Sequence, residues 1–139
     1  MPTPKAILAL DFGKKRIGVA IASLAARLPR PLTTLSAGEH FLSDLQIIIH
    51  DENVGAIIVG LPRSLEGQPT DQTMAAQAFG HQLQELGLPV YFQDEALTSH
   101  KAEAELQERG KRYSKEDIDA LAATYILEDF LATHPEVEL

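Results

Sequence analysis

The chain has 139 residues, of which 45% are hydrophobic and 23% are charged, and this composition is that of an ordinary globular protein. It contains no cysteine, so disulfide bonds and thiolate metal sites are excluded, and a reducing cytoplasm is the expected location. The net charge of −8 argues against a broad, non-specific nucleic-acid binder, because proteins of that class are usually basic.

The first part of the chain predicts three consecutive strands. Residues 5–12 (KAILALDF) form a continuous apolar run that is typical of a strand covered on both faces. The turn GKKR, in which Gly13 is free to adopt a positive φ, joins this run to a second strand over 17–22, which gives a β-hairpin. A third strand is predicted within 28–35, where two prolines place its start at an edge or in a loop.

Helices and strands alternate in the rest of the chain. Helical spacing predicts helices over 39–52, 71–86, 99–109 and 115–131, and short apolar runs predict strands over 55–60 and 88–93. The order is βββαβαβαα, which indicates an α/β fold with a mixed five-stranded sheet. The length predicts a single domain over 1–139, with a frayed tail over about 132–139. A plain doubly wound nucleotide fold would not begin with three strands in a row.

Positive charge is concentrated in two segments of this acidic chain. Residues 1–36 carry six cations against a single acid, and residues 109–115 (RGKRYSK) carry four cations and no acid. Local basic patches on an acidic body can contact phosphate groups at selected points. Solvated surface charge is the alternative interpretation of each of these residues.

Carboxylates follow two of the predicted strands. Asp11 stands at the end of the first strand, and Asp94 and Glu95 come directly after the fifth. Ligands of open α/β sheets gather beyond the carboxyl ends of the strands. Because neighbouring residues of a strand point in opposite directions, only one of Asp94 and Glu95 is expected to share a cleft with Asp11. The strand pattern alone does not decide which.

The last predicted helix supplies a third carboxylate. Ser114 and Asp117 have the spacing of a capping box, which would occupy Asp117 at the start of the helix. Asp119 shares a helical face with Ala123 and Ile126, at spacings of four and seven residues. Asp119 is therefore the acid that we expect on the buried side of this helix.

Three carboxylates from two strand ends and a helix would form a hard oxygen site. Mg²⁺ or Mn²⁺ prefers such ligands. Two such ions about 4 Å apart can activate a water and stabilise the leaving oxygen in phosphodiester hydrolysis. The structural alternative is that Asp11 caps a turn, Glu95 lies at the surface and Asp119 pairs with a lysine.

Four motifs occur in the order seen in the YqgF family, which this chain resembles over roughly residues 6–131: ALDFGKKRIGVA, IIVGLPRSLEG, DEALTS and KEDIDALAATYIL. Members of that family are described as Holliday-junction-resolvase-like proteins and as pre-16S rRNA nucleases. The resemblance implies an RNase H-like fold, similar to the RuvC resolvases, and a metal-dependent nuclease that processes the 5′ end of the 16S rRNA precursor. By the same resemblance, the catalytic residues and metal ligands are Asp11, Glu95 and Asp119.

One position departs from the family pattern. The family usually has arginine after the DE pair, whereas this chain has Ala96 and so lacks an arginine that could contact phosphate or support the acidic cluster. The nearest replacements that we predict as nucleic-acid contacts are Lys14, Lys15, Arg16 and Arg63.

Three other functions stay open on the sequence. A resolvase of branched DNA would act as a two-fold dimer, whereas a monomer or weak dimer would favour RNA. A non-catalytic ribosome-assembly factor, with the ribosome or its precursor as partner, would keep the fold without turnover. The D-x-G-x-x-x-x-G start, Asp11 to Gly18, also resembles the phosphate loop of sugar kinases and actin-like ATPases. Those proteins need two such lobes around ATP, and a chain of this length supplies one.

Overall fold

The computed structural model of the chain describes residues 3–95, 98–110 and 113–135. Its strands are β1 (Ala6–Phe12), β2 (Arg16–Ser23), β3 (Arg30–Ser36), β4 (Val54–Pro62) and β5 (Val90–Glu95). Its helices are α1 (Phe41–Asp51), α2 (Asp71–Leu83), α3 (Thr98–Glu108) and α4 (Lys115–Thr133). This is the predicted order βββαβαβαα, and the α/β class is confirmed. Within the described ranges, no helix is long and apolar enough to cross a membrane.

The five strands form one mixed sheet in the order β3-β2-β1-β4-β5. β2 runs antiparallel to both of its neighbours, whereas β1, β4 and β5 run parallel to one another. The last residues of β1, β4 and β5 therefore lie at the same end of the sheet, together with the turn between β1 and β2. We call this the carboxyl end of the sheet. β3 is an outer strand, as its prolines predict.

The central strand β1 is apolar on both faces because helices cover both faces of the sheet. Leu8 and Leu10 lie in the core formed with α1 and α2, whereas Ile7 and Ala9 lie in the core formed with α4. Strands buried on both sides read as continuous apolar runs, which accounts for the sequence of β1. By the same alternation, Asp11 lies on the face that α4 covers.

The helix α4 begins at the predicted capping box. The amide of Asp117 donates to the Ser114 hydroxyl at 3.2 Å, and the amide of Ser114 donates to the Asp117 carboxylate at 2.9 Å. The outer side of α4 packs against α3, where Ala102 contacts the cluster that contains Leu121 and Tyr125. Asp117 thus serves the helix start, and this leaves Asp119 as the acid of the packing face.

Two features near the predicted site differ from the expectation. The strand β5 extends to Glu95, so Asp94 and Glu95 are its last two residues instead of following it. Gly13 is free to adopt a positive φ but does not do so. Glycine is required there for a different reason, since a Cβ at Gly13 would lie 2.6 Å from the carbonyl oxygen of Arg16.

The end of α4 lies beyond the residue at which the frayed tail was predicted to begin. The helix continues to Thr133, and the ring of His134 stacks on Phe130 with 4.1 Å between centroids. The guanidinium of Arg27 donates to the carbonyl oxygens of Leu131 and His134 at 3.4 and 3.0 Å. The rest of the predicted tail, residues 136–139, lies outside the described residues.

Candidate active site

Asp11 stands at the carboxyl end of the sheet, where it pairs with Gly18 across the β1–β2 hairpin. Burial raises the pKa of Asp11 well above its ordinary value of 3.8, and the negative charges of Glu95 and Asp119 raise it further. An ionised Asp11 is therefore unfavourable in this environment unless a cation compensates its charge. Glu95 and Asp119 therefore lie near enough to Asp11 for their charges to act on it.

The side chain of Glu95 lies on the same face of the sheet as Asp11. In β5, Tyr91 contacts the ring of Phe130 in α4 with 5.5 Å between centroids. Glu95 is four residues further along the same strand, so its side chain points to the same face as that of Tyr91. A Cβ at Gly60 of β4 would lie 3.1 Å from the carboxyl carbon and from one carboxyl oxygen of Glu95. Glu95 is thus the member of the DE pair that faces Asp11.

Asp94 has a different environment from its neighbour. Its carboxylate accepts hydrogen bonds from the Nε and Nη2 atoms of Arg63 at 3.2 and 3.0 Å, and its side chain is 67% exposed. Because strand residues alternate, Asp94 points away from the face that α4 covers. The choice between Asp94 and Glu95, which the strand pattern left open, is decided by the pleat of β5.

Asp119 reaches the cluster from α4. A Cβ at Gly18 would overlap the backbone carbonyl of Asp119, and it would lie 2.9 Å from the amide nitrogen of Ala120. The helix therefore lies directly on β2 at the residue opposite Asp11. Ala123 and Ile126 are fully buried against the sheet, which confirms the predicted packing face.

Arg16 is a cation that contacts this cluster. Its Nε donates to the Oδ2 atom of Asp119 at 2.7 Å, and the two side chains are 32% and 19% exposed. The hydrogen bond and charge of Asp119 raise the pKa of Arg16, and Glu116 adds to the effect. Arg16 was predicted as a nucleic-acid contact, and that stays a prediction; in this structure its guanidinium contacts the carboxylate of Asp119.

Of the other predicted nucleic-acid contacts, Lys14 and Lys15 lie apart from Arg63. Lys14 and Lys15 are exposed in the turn between β1 and β2, at the carboxyl end of the sheet. Arg63 is held by Asp94 on the other side of β5. The Ala96 position, at which the chain departs from the family pattern, lies outside the described residues, as do residues 111–112 of the second basic segment.

The donor set of the cluster consists of carboxylate oxygens, which are the ligands that Mg²⁺ and Mn²⁺ prefer. In the part of the chain that the structure describes, no three His, Asp or Glu side chains are already gathered around one metal position. The carboxylate of Asp119 is engaged by Arg16. The carboxylates therefore fit a hard divalent cation in their chemistry. In this structure the cation that Asp119 contacts is Arg16.

The family model of RuvX, described as Holliday junction resolvase, matches residues 5–133 of this chain. The chain belongs to the RuvX family. RuvX is another name of the YqgF family, so this match confirms the resemblance found in the four sequence motifs.

A relative from Pseudomonas savastanoi pv. phaseolicola is 35% identical over 99% of this chain and 98% of its own length. One from Chloroflexus aurantiacus is 39% identical over 90% of this chain and 85% of its own. Both relatives carry the name "Putative pre-16S rRNA nuclease".

Solved structures similar to this RuvX chain include two of Thermus thermophilus RuvC. One matches with a TM-score of 0.51 and 15% identity, over 94% of this chain and 96% of the other. The second, in complex with a Holliday junction substrate, matches with a TM-score of 0.50 and 18% identity, over 92% of this chain and 95% of the other. At this level of identity the likeness concerns the fold, and it confirms the predicted RNase H-like architecture of the RuvX chain.

Two glycines that position the cluster are not among the residues predicted from the sequence. Gly18 allows the backbone of Asp119 to lie on β2, and Gly60 leaves room for the carboxylate of Glu95. Glycine inside a strand marks a close approach of another group, and this signal was present in both strands. The Arg16–Asp119 ion pair had no comparable signal, because it joins residues 103 positions apart.

Proposed function

We propose that this protein is a divalent-metal-dependent nuclease that hydrolyses phosphodiester bonds while processing the 5′ end of the 16S rRNA precursor. The observation that carries the proposal is the clustering of Asp11, Glu95 and Asp119 on one face at the carboxyl end of the sheet. Membership of the RuvX family supports a nuclease, and the names of the curated relatives support RNA as the substrate.

In this proposal Asp11, Glu95 and Asp119 hold one or two Mg²⁺ or Mn²⁺ ions. The cation would supply an activated water as nucleophile and would stabilise the charge on the leaving oxygen. The contribution of the chain is position, since two carboxylates are fixed on strands and the third on a helix packed against them. The exposed Lys14 and Lys15 stand at the same end of the sheet, where they can contact phosphates on either side of the scissile bond.

A resolvase of branched DNA is the second candidate, because the matching family model is described as Holliday junction resolvase. The same carboxylates would serve either substrate, so the site does not distinguish them. A resolvase needs a two-fold assembly to match its two-fold substrate. We propose a monomer or weak dimer in the cytoplasm, with the ribosome precursor as the associated particle, and light scattering of the purified protein tests the oligomeric state.

The test is a cleavage assay on two substrates, an RNA that spans the 5′ end of 16S rRNA and a four-way DNA junction, each with Mg²⁺ and with EDTA. We expect Mg²⁺-dependent cleavage of the RNA, reduced at least about 100-fold by each of Asp11→Asn, Glu95→Gln and Asp119→Asn. The matched control is Asp94→Asn, an exposed carboxylate adjacent to Glu95, which should retain activity within about twofold.

The other outcomes of this assay are equally informative. Cleavage of the junction alone would replace the RNA nuclease by a resolvase. Cleavage that all three substitutions leave unchanged would mean that the site is elsewhere. A folded wild-type protein that cleaves neither substrate would favour the non-catalytic assembly factor.

A further inference from the structure

The ion pair between Arg16 and Asp119 lies inside the proposed metal site. The guanidinium of Arg16 donates to the Oδ2 atom of Asp119 at 2.7 Å, and both side chains are partly buried. Asp119 is also one of the two charges that raise the pKa of the Asp11 carboxyl. A carboxylate that is proposed as a metal ligand is therefore engaged by a cation of the protein itself.

Arg16 is not needed to bring the backbone of Asp119 to this place. The close packing of α4 on Gly18 already fixes the Cα of Asp119 opposite Asp11. What Arg16 adds is charge and a hydrogen bond, which compensate a carboxylate next to two others. A divalent cation bound among the same carboxylates would supply that compensation, and the positive charge of Arg16 would repel it.

We propose that Arg16 is a counter-ion with two alternative partners: it neutralises Asp119 in the metal-free protein and gives up that contact when a divalent cation binds. The inference rests on the proposed function, because it takes Asp119 as a ligand. Arg16 directly follows Lys14 and Lys15 in the turn. When released from Asp119, it joins these two lysines as a third cation available to substrate phosphate.

The test is a titration of the metal-free protein with MnCl₂ alone, in which free Mn²⁺ is measured by electron paramagnetic resonance. If Arg16 competes with the ion, Arg16→Gln binds Mn²⁺ about threefold to tenfold more tightly than the wild type. Arg16→Lys keeps the charge and stays closer to the wild type than Arg16→Gln does. Arg109→Gln removes an arginine from the ion pair with Glu105 and leaves the Mn²⁺ affinity unchanged.

Thermal unfolding separates competition from a merely structural role. In EDTA, Arg16→Gln should unfold at a lower temperature than the wild type, because Asp119 has lost its counter-ion. With saturating MnCl₂ this difference should disappear. A structural role of Arg16 predicts instead the same deficit in EDTA and in MnCl₂, and that result would overturn the inference.

The failure of this inference is distinguishable from failure of the proposed function. Equal or weaker Mn²⁺ binding by Arg16→Gln, next to clear binding by the wild type, contradicts the exchange of partners and leaves the metal site standing. No Mn²⁺ binding by the wild type removes the metal site, and the inference falls with it. If Arg16→Gln does not fold, the comparison of Arg16→Lys with the wild type decides. Lysine weakens the ion pair with Asp119, so this variant must also bind Mn²⁺ more tightly than the wild type.

Discussion

The backbone carbonyl of Asp119 lies directly against Gly18, with no space for a Cβ between them. Gly18 is in turn the residue that pairs with Asp11 across the β1–β2 hairpin. The spacing between a strand carboxylate and a helix carboxylate is therefore set by one residue without a side chain. Such a contact is stiff, because backbone atoms of a packed helix cannot move aside as a flexible side chain does.

Gly18→Ala should both destabilise the fold and impair the carboxylate cluster. The new methyl group would force α4 away from β2, which we expect to lower the free energy of unfolding by about 3 kcal/mol. Urea unfolding measures this loss. Gly38→Ala is the matched control, since a Cβ there meets no atom within 4 Å, and it should change stability by less than about 0.5 kcal/mol. Equal stability of both variants would contradict the close approach.

Asp11 should make the metal-free protein less stable as the pH rises. Its folded pKa is raised above 3.8, so the folded protein binds this proton more tightly than the unfolded chain does. The resulting stabilisation is fully present below pH 3.8 and is lost as the pH rises through the folded pKa. Asp11→Asn should therefore gain stability relative to the wild type across this interval, as measured by chemical unfolding in EDTA at a series of pH values.

The control for this pH dependence is Asp129→Asn, which removes an exposed carboxylate from the same helix that carries Asp119. Its difference in stability from the wild type should stay constant over the same range. A difference that grows equally for both variants would mean that the effect comes from net charge, and the local account of Asp11 would be wrong.

Mg²⁺ should raise the melting temperature of the wild-type protein, because it relieves repulsion among Asp11, Glu95 and Asp119 in the folded state only. At a concentration of 100 times its Kd, a ligand of the folded state adds about 2.7 kcal/mol to the free energy of unfolding. Glu95→Gln should reduce this response strongly, whereas Asp94→Asn should keep it. A melting temperature that does not respond to Mg²⁺ in the wild type argues against the site.

Lys14→Glu should weaken RNA binding without altering the response of the melting temperature to Mg²⁺. Lys14 is exposed at the carboxyl end of the sheet. The binding constant for single-stranded RNA falls with salt, and each lost phosphate contact makes the plot of log K against log salt less steep by about 0.7. Lys5→Glu makes the same charge change at the opposite end of β1, where Lys5 is also exposed. Equal losses for the two variants would indicate a non-specific charge effect.

The architecture was predictable because local patterns determine it. The apolar run of β1, the capping box at Ser114 and Asp117, and the helical face of Asp119 are all short-range features, and the structure has each of them. The predicted end of β5 lies two residues before the observed one. That strand ends in charged residues, which carry no apolar signal, although the pairing with β4 continues through Glu95.

The details of the site were less predictable because they depend on long-range contacts. That Asp11 ends a strand can be read from its neighbours, whereas the choice of Glu95 over Asp94 depends on how β5 is oriented in the sheet. The pairing of Arg16 with Asp119 depends on where α4 meets β2. No periodicity in the sequence reports that geometry, so the ion pair could not be predicted from the sequence.

The most direct test of the central claim is anomalous diffraction from crystals of the protein grown with MnCl₂. We predict a Mn²⁺ peak bounded by the carboxylates of Asp11, Glu95 and Asp119, with Arg16 no longer bonded to Asp119. A structure that holds Mn²⁺ only at other positions, with the Arg16–Asp119 pair intact, would contradict the account.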